Sequence, residues 1–559
     1  MGSRQPRLLA AFALIVVSGC NTDPQQPNIE PETVPLVEAG TSRLAAESDG
    51  LVGTDVRAEA IEVEDEGPDA PVILFTAGLR GYTEPCGCTL DLVLGGIDRV
   101  TGYIAAFQEL GGETLILDVG NFLFEHAELR ELDSGQEIRK TEVLLDALRA
   151  AGTFATVPGA TDFANGSSFY REAVSATDMV ILNANLTLDD GPLGRPSTTT
   201  QLGDHTVGLI GAVDPASFEE IEGAVAVEPE DAVNRAAAQP ELAGADVVIL
   251  LFQGDLVAAR TQLRAVSGVD FILIGSPRDT DEVESIGSAQ TLEAFDQGRY
   301  VGRLKLQFAS EGEWTNARGG SDEEIAQLER VISGIQAQLA SMTYDAAAPP
   351  PIVLRQLERI VAMEADLDAM HSADLDFSAS RTFFYRPIAM EPGLPANPDL
   401  TESMRQYNAA LPAINAVNSA PPEPAAAGQP GYVGDTACAT CHVAEHTFWL
   451  TTSHAHAWNT LVERDKEWDR SCVGCHMTGY EEPGGATLGH SENLTNVQCE
   501  QCHGPGSLHA ADPTLRGAPF GVVLETTEQT CVGCHNAEHS TTFDYATYLP
   551  RVLGVGHGG

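Results

Sequence analysis

Basic residues are scarce in this chain: Lys and Arg number 31 against 81 Asp and Glu in 559 residues, a formal net charge of −50. That balance excludes nucleic acid as a partner, because binding it requires a basic surface. It suits high solubility, a saline habitat or a basic redox partner. Long apolar runs are missing too. One such run, residues 8–17, stands near the start and is too short to span a bilayer as a mature helix. Cysteine for structural disulfides is almost absent. Eight of the eleven cysteines belong to one repeated motif, one is Cys20, and the last two form Cys86-Gly-Cys88.

The repeated motif is Cys-X-X-Cys-His. It occurs as Cys438-Ala-Thr-Cys441-His442, Cys472-Val-Gly-Cys475-His476, Cys499-Glu-Gln-Cys502-His503 and Cys531-Val-Gly-Cys534-His535, at intervals of 34, 27 and 32 residues. This is the attachment pattern of a c-type haem. Two thiols add to the two vinyl groups of one porphyrin, and the adjacent imidazole becomes the proximal iron ligand. A zinc ribbon or a disulfide scaffold does not require His after every second Cys. The expectation is four covalent haem c groups, with His442, His476, His503 and His535 on the irons.

The start of the chain reads as an export signal. Arg4 and Arg7 precede the apolar run, which ends in Val17-Ser18-Gly19-Cys20, similar to a bacterial lipobox. Residues 1–20 are expected to be a lipoprotein signal peptide, with lipidation of Cys20 anchoring an exported protein on the periplasmic side or at the outer membrane. A lone Cys beside an ordinary signal peptide is the alternative. Residues 21–70 hold 13 acidic residues against two Arg and read as an acidic disordered tether.

From Val72 the pattern changes. Short apolar, β-branched runs at 72–75, 115–117, 179–182, 207–210, 247–251 and 271–274 alternate with helical stretches. Such strands, apolar on both faces, belong to an α/β fold with a buried sheet. A capping box at Ser321 and Glu324 opens a helix with Ile325, Leu328, Ile332, Ile335, Leu339 and Met342 on one stripe. After Pro349-Pro350-Pro351, a second stripe runs through Leu354, Leu357, Ile360, Val361, Leu367 and Met370, giving a helical hairpin. The expected division is 71–310 for the α/β domain, 320–372 for the hairpin, 373–430 for an extended segment and linker, and 431–559 for a mainly α and irregular tetrahaem cytochrome c domain.

The ordered blocks "VILFTAGLRG", "LGGIDRV", "LILDVGN", "TVPGATDFANG", "ILNANL", "VGLIGAV", "DVVILLFQGD" and "VDFILIGS" resemble the 5′-nucleotidase branch of the calcineurin-like metallophosphoesterases. The resemblance implies a metallophosphoesterase-like α/β sandwich. The family's ligand positions are altered here. Ala77-Gly78-Leu79 stands where Asp-X-His is expected, and Asn121 replaces a bridging Asp. Gly159-Ala160-Thr161-Asp162 replaces the Asn-His block, and Gln253 and Ser276 replace later His. Asp118, Asn121 and Asp162 alone cannot hold two cations and activate a bridging water. His126 and His205 lie outside the ligand blocks. In the mouth of this domain stand Cys86 and Cys88, a candidate redox or metal-binding pair, or a structural pair.

The stretches "CATCH", "FWLTTSHAHAW", "CVGCHMTGY", "NVQCEQCHGPGSLH" and "CVGCHNAEHSTTFDYATYL" resemble the tetrahaem cytochrome c family that accepts electrons from hydroxylamine oxidoreductase. That resemblance implies the same four proximal His, and distal ligands at His454 and His509. Eleven of fourteen His fall after residue 430, and His557 is a third distal candidate. His446, His456, His490 and His539 remain. The function expected is electron transfer with redox protein partners, by a protein that is not itself an enzyme. The alternatives are a multihaem oxidoreductase acting on a small nitrogen or sulfur compound, and a metal-dependent nucleotidase with a redox domain.

Overall fold

The computed structural model describes residues 70–85, 94–275, 283–308, 312–316, 351–372, 381–491, 493–536 and 543–554, with single positions or short stretches between 325 and 339, and Ser540. These lie within one compact unit, Arg57–Gly559. Cys20, Cys86, Cys88, Ser276, His539 and His557 fall outside the described residues.

The α/β region begins β1 (Val72–Thr76), α1 (Ile97–Glu109), β2 (Thr114–Asp118), α2 (Ser134–Ala151), β3 (Ala155–Thr156), α3 (Ser167–Ser175) and β4 (Val180–Ile181). It continues β5 (Leu186–Leu188), β6 (Ser197–Leu202), β7 (His205–Val213), β8 (Ala224–Ala226), α4 (Pro229–Ala237), β9 (Val247–Gln253), α5 (Leu256–Gln262) and β10 (Phe271–Ile274). Then come β11 (Glu284–Ile286), β12 (Ala289–Glu293), β13 (Tyr300–Gln307), β14 (Thr315–Asn316), α6 (Pro351–Ser372), β15 (Thr382–Ala389) and α7 (Pro398–Ala416).

Two mixed sheets result. One runs β14-β15-β13-β1-β2-β3-β4 and the other β11-β12-β10-β9-β7-β6. Parallel pairing of β1 with β2, β2 with β3 and β3 with β4 follows from the intervening helices, which return the chain to the same end. Strand β9 illustrates the two-faced burial. Val247, Ile249 and Leu251 join one core with Ile73, Phe75, Leu115 and Leu117, while Val248, Leu250 and Phe252 join another with Val233 of α4 and Ala259 of α5. An α/β sandwich was the expected class, and this is one.

The stretch read as extended segment and linker, 373–430, contains more order than that. Thr382–Ala389 is a strand pairing with β13 along its whole length. Pro387 argues against a strand in the interior of a sheet, but β14 pairs only with Thr382 and Phe383. Beyond that point the outer edge needs no donor, so proline is tolerated. Asn397 caps α7 by accepting from the amides of Asp399 (3.0 Å) and Leu400 (3.3 Å). Leu400, Met404, Tyr407 and Leu411 then form its buried face. The segment before α7 lies so close to α1 that a Cβ on Gly102 would come within 2.2 Å of the Pro395 carbonyl oxygen.

The hairpin's first stripe holds, with Leu328, Ile332, Ile335 and Leu339 buried. Its second holds in part. Ile360 is buried and Leu367 packs on the same cluster, joined by Val353, whereas Leu354, Leu357 and Val361 are exposed. Both faces of α6 carry apolar residues at helical spacing, so periodicity alone could not choose between them. Among the described residues no helix is long and apolar enough to cross a membrane.

After residue 430 the chain forms short helices with little apolar core. One small cluster, Leu461, Val473, Met477, Ala486, Leu488 and Leu494, packs beside Trp458, Trp468 and Cys472.

Candidate functional site

Each motif sits on a single helical turn or directly after one: Asp435–Ala439, Arg470–His476, Cys499–His503 and Glu528–Val532. On a helix, positions i, i+3 and i+4 share one face, so in the second and third motifs, which lie wholly on helices, both sulfurs and the imidazole point the same way. All eight motif cysteines are free thiols here, standing for the thioether sulfurs of an attached haem. The third motif also organises its surroundings. The buried Glu500 carboxylate accepts from the amides of Val433 (3.0 Å), Gly434 (2.8 Å) and Gly506 (2.7 Å).

The motifs adjoin one another. Neighbouring Cys499, together with burial, pushes the Cys438 thiol up from its ordinary value. Cys475 stands in the same relation to Cys534. Burial pushes Cys502 up to about 11, with a further push from neighbouring Cys531.

Two pairs of imidazoles face each other. The ring centroids of His442 and His509 are 6.3 Å apart, and those of His454 and His535 are 6.2 Å apart. Metal–imidazole bonds of about 2 Å on either side of an iron, plus the two ring radii, require about 6 Å. The orientation of the rings agrees. Nδ1 of His476 lies 2.5 Å from the Ala457 carbonyl oxygen, Nδ1 of His503 2.9 Å from that of Val523, and Nδ1 of His509 3.0 Å from that of Leu515. Nδ1 of His535 lies 3.2 Å from the Ser540 hydroxyl. Donating through Nδ1 leaves Nε2 as the lone-pair nitrogen, the tautomer an iron ligand needs. Burial, and then proximity to His535, pushes His454 down to about 4, so it is neutral. The donor set therefore fits haem iron. By contrast, Nε2 of His446 is held by Asp435 at 2.8 Å and Nε2 of His456 by the Leu450 carbonyl at 3.1 Å. His490 is exposed.

In the α/β region the three oxygen donors are engaged within the fold. Asp118 ends β2 and accepts from Thr76 Oγ1 (2.7 Å), Thr156 Oγ1 (3.0 Å) and the Gly120 amide (2.9 Å). Burial pushes it up to about 6 against those three bonds. Asp162 accepts from the amides of Asn121 (3.0 Å), Phe122 (2.7 Å), Leu123 (2.9 Å) and Gly159 (2.9 Å). Burial pushes it up to about 7, yet four donors on two oxygens leave no acceptor for a carboxyl proton, so the loop is built around the ionised form. Asn121 Oδ1 accepts from the Thr161 amide (3.0 Å) and hydroxyl (3.1 Å). The strand ends also approach closely. A Cβ on Gly120, whose φ is 76°, would lie 2.4 Å from the Val157 carbonyl oxygen. Gln253 is buried against the Gly275 carbonyl at 3.4 Å. His126 is largely exposed beside Glu125, and His205, at the opposite end of β7, stacks on Phe308 with centroids 3.8 Å apart. Among the described residues no group of three or more His, Cys, Asp and Glu is arranged to hold a metal ion.

The sequence reading missed a polar seam between this region and the second haem motif. Gln136 of α2 donates to Asp469 Oδ1 (2.7 Å) and Ser471 Oγ (3.2 Å) and accepts from the Arg470 amide (3.0 Å) and Asn415 (2.8 Å). Lys466 lies 3.0 Å from Glu84 and 3.1 Å from Asp469. Burial alone would lower the Lys466 pKa, but Asp469 and Glu84 more than offset it and hold it raised. No local motif marks such contacts, since their partners lie hundreds of residues apart.

Residues 437–504 match the sequence model of the family described as cytochrome c554 and c-prime. The C-terminal region is thus similar to the c-type cytochromes, a class that carries haem covalently. The cytochrome c-554 of Nitrosomonas europaea is 34% identical over 105 residues, 16% of this chain and 45% of that protein. The chain therefore spans under half the length of this curated relative. Among solved structures, it is similar to sulfate thiohydrolase SoxB of Thermus thermophilus, with 15% identity and TM-score 0.43 over 62% of each chain. It is also similar to a 5′-nucleotidase precursor from Thermus thermophilus, with 13% identity and TM-score 0.44 over 71% of this chain and 68% of that one.

Proposed function

We propose that this protein is an exported, membrane-tethered electron carrier with four c-type haems, joined to an α/β domain that has lost the dimetal chemistry of its fold. The observation that carries the electron-carrier reading is the pairing of His442 with His509 and His454 with His535 at the separation an iron between them requires. An iron with imidazoles on both sides is saturated, which favours electron transfer over substrate binding. Attached haem supplies one-electron iron chemistry, and the chain's own residues set its spacing. The mutual electrostatic influence of Cys438 and Cys499, of Cys502 and Cys531, and of Cys475 and Cys534 supports a relay in the motif order first, third, fourth, second.

The test is mass and spectrum together. The mature protein is expected to carry four haems, and a load of two or fewer sinks the reading. His454→Ala and His509→Ala are each expected to convert one haem to a form that binds CO when ferrous, whereas His446→Ala leaves CO binding as in wild type. Unchanged CO binding in the first two variants would overturn their assignment as ligands. Strong CO binding by the wild type would favour the oxidoreductase alternative instead.

The loss of dimetal chemistry is supported by the way Asp118, Asn121 and Asp162 spend their oxygens on hydroxyls and backbone amides. Cys86 and Cys88 follow Glu84 by two and four residues, and we read them as a redox-active or metal-binding pair. Lipidation at Cys20 completes the proposal. Cys20→Ala is expected to move the protein from the membrane fraction to the soluble periplasmic fraction, and fractionation like the wild type would refute the tether.

A further inference from the structure

The whole chain has three lysines, Lys140, Lys305 and Lys466. Two of them, Lys140 and Lys466, are buried together where the α/β region meets the segment leading into the second haem motif. A residue this rare on an acidic chain is not serving as general surface charge here. Lys466 Nζ is 3.0 Å from Glu84, which lies in the loop after β1, and 3.1 Å from Asp469 of its own segment. Lys140 Nζ is 2.8 Å from Glu137 on α2, and its charge reaches Asp469 as well. Two ammonium groups thus face three carboxylates, Glu84, Glu137 and Asp469. Glu125 and Asp133 also bear on Lys140 from farther off, Asn408 donates to Glu84 at 2.8 Å, and the Tyr407 ring lies 5.9 Å from Lys466 Nζ. The Cys472 amide donates to the Asp469 carbonyl at 3.0 Å, and Asp469, Lys466, Glu84 and Lys140 all bear electrostatically on the partly buried Cys472 thiol.

We infer that this buried cluster sets the reduction potential of the haem attached through Cys472 and Cys475, with Lys466 as the positioning charge and Glu84 as the α/β domain's lever upon it. The inference rests on haem attachment at that motif. One-electron reduction lowers the charge at the iron by one. A fixed ammonium nearby therefore stabilises the reduced form, and a fixed carboxylate stabilises the oxidised form. Lys466 and Asp469 are buried, so salt screens them little, whereas the Glu84 side chain is 29% exposed and is screened more. The α/β domain then has a role that needs no catalysis: it seats a carboxylate beside one haem of the array and closes the seam against water.

The experiment is a spectroelectrochemical titration of the full-length haem-loaded protein and three variants. Lys466→Met is expected to lower the potential of one haem, Glu84→Gln to raise the potential of the same haem, and Lys466→Arg to leave it near the wild-type value. The Lys466→Met shift persists at high salt. The haem concerned is identified as the one missing from a Cys472→Ala/Cys475→Ala protein. If that protein does not accumulate, the number of potentials that move decides, one being expected. Opposite signs from two partners of one ion pair separate electrostatic tuning from loosened packing, which would move both variants the same way. Shifts of the same sign, or no shifts, overturn the inference. Absence of haem from the peptide bearing Cys472 and Cys475 overturns the attachment reading instead.

Discussion

Replacing Cys499 and Cys502 by Ala is expected to remove one haem and to collapse much of the order after residue 430. The reason is the poverty of the protein core there. The helices Asp435–Ala439, Val443–Trp449, Ser507–Ala511, Glu528–Val532 and Tyr545–Val552 bury no residue of their own. Among the described residues after 430, the one apolar cluster holds six buried side chains near the second motif. A macrocycle burying several hundred Å² of apolar surface is worth on the order of 10 kcal/mol, more than such a cluster can replace. The third motif is the worst one to lose, because its Glu500 ties the segment at Val433 and Gly434 to the one at Gly506. Mass spectrometry would count the haems, and thermal unfolding followed in the far ultraviolet would report the order. A three-haem variant that melts like wild type would contradict the view that haem is the core of this region.

Asp162→Ala is expected to destabilise the α/β region by about 3–5 kcal/mol, while changing no hydrolytic rate. The side chain satisfies four backbone amides at 2.7–3.0 Å in a fully buried turn. Truncation leaves those donors without acceptors, and the loops after β2 and β3 lose their common anchor. In a working dimetal phosphoesterase, loss of a carboxylate in the cleft would instead abolish turnover. Denaturant unfolding, set beside phosphatase assays on nucleotides with excess manganese or zinc, separates the two. Wild-type hydrolysis that is stimulated by metal and abolished by Asp118→Ala would restore the nucleotidase alternative.

The covalent chemistry was legible because it is local. A motif five residues long carries both thiols and the proximal imidazole, whatever surrounds it. Buried strands were legible for a similar reason, since runs such as 247–251 are apolar on both faces wherever they pair. Other readings failed where two local patterns were equally good. Leu354, Leu357 and Val361 share the helical spacing of Ile360 and Leu367, and only packing against the first hairpin helix left them exposed and buried Val353 instead. Pro387 argues against a strand when read alone, and only the short reach of β14 leaves its edge open. The 373–430 segment hid a long amphipathic helix, α7, behind its prolines.

By itself, then, the sequence determined what this chain can bind covalently and which broad folds it can adopt, because attachment motifs and strand periodicity act within a few residues. Tertiary structure decided which imidazole faces which. His442 meets His509, and His454 meets His535, across 67 and 81 residues of chain. It also decided that Asp118 and Asp162 serve hydroxyls and amides, and that Lys466 meets Glu84 across 382 residues. Hydrogen bonds and ion pairs depend on distances of about 3 Å in space, and separation along the chain carries no information about them until the strands and helices have packed.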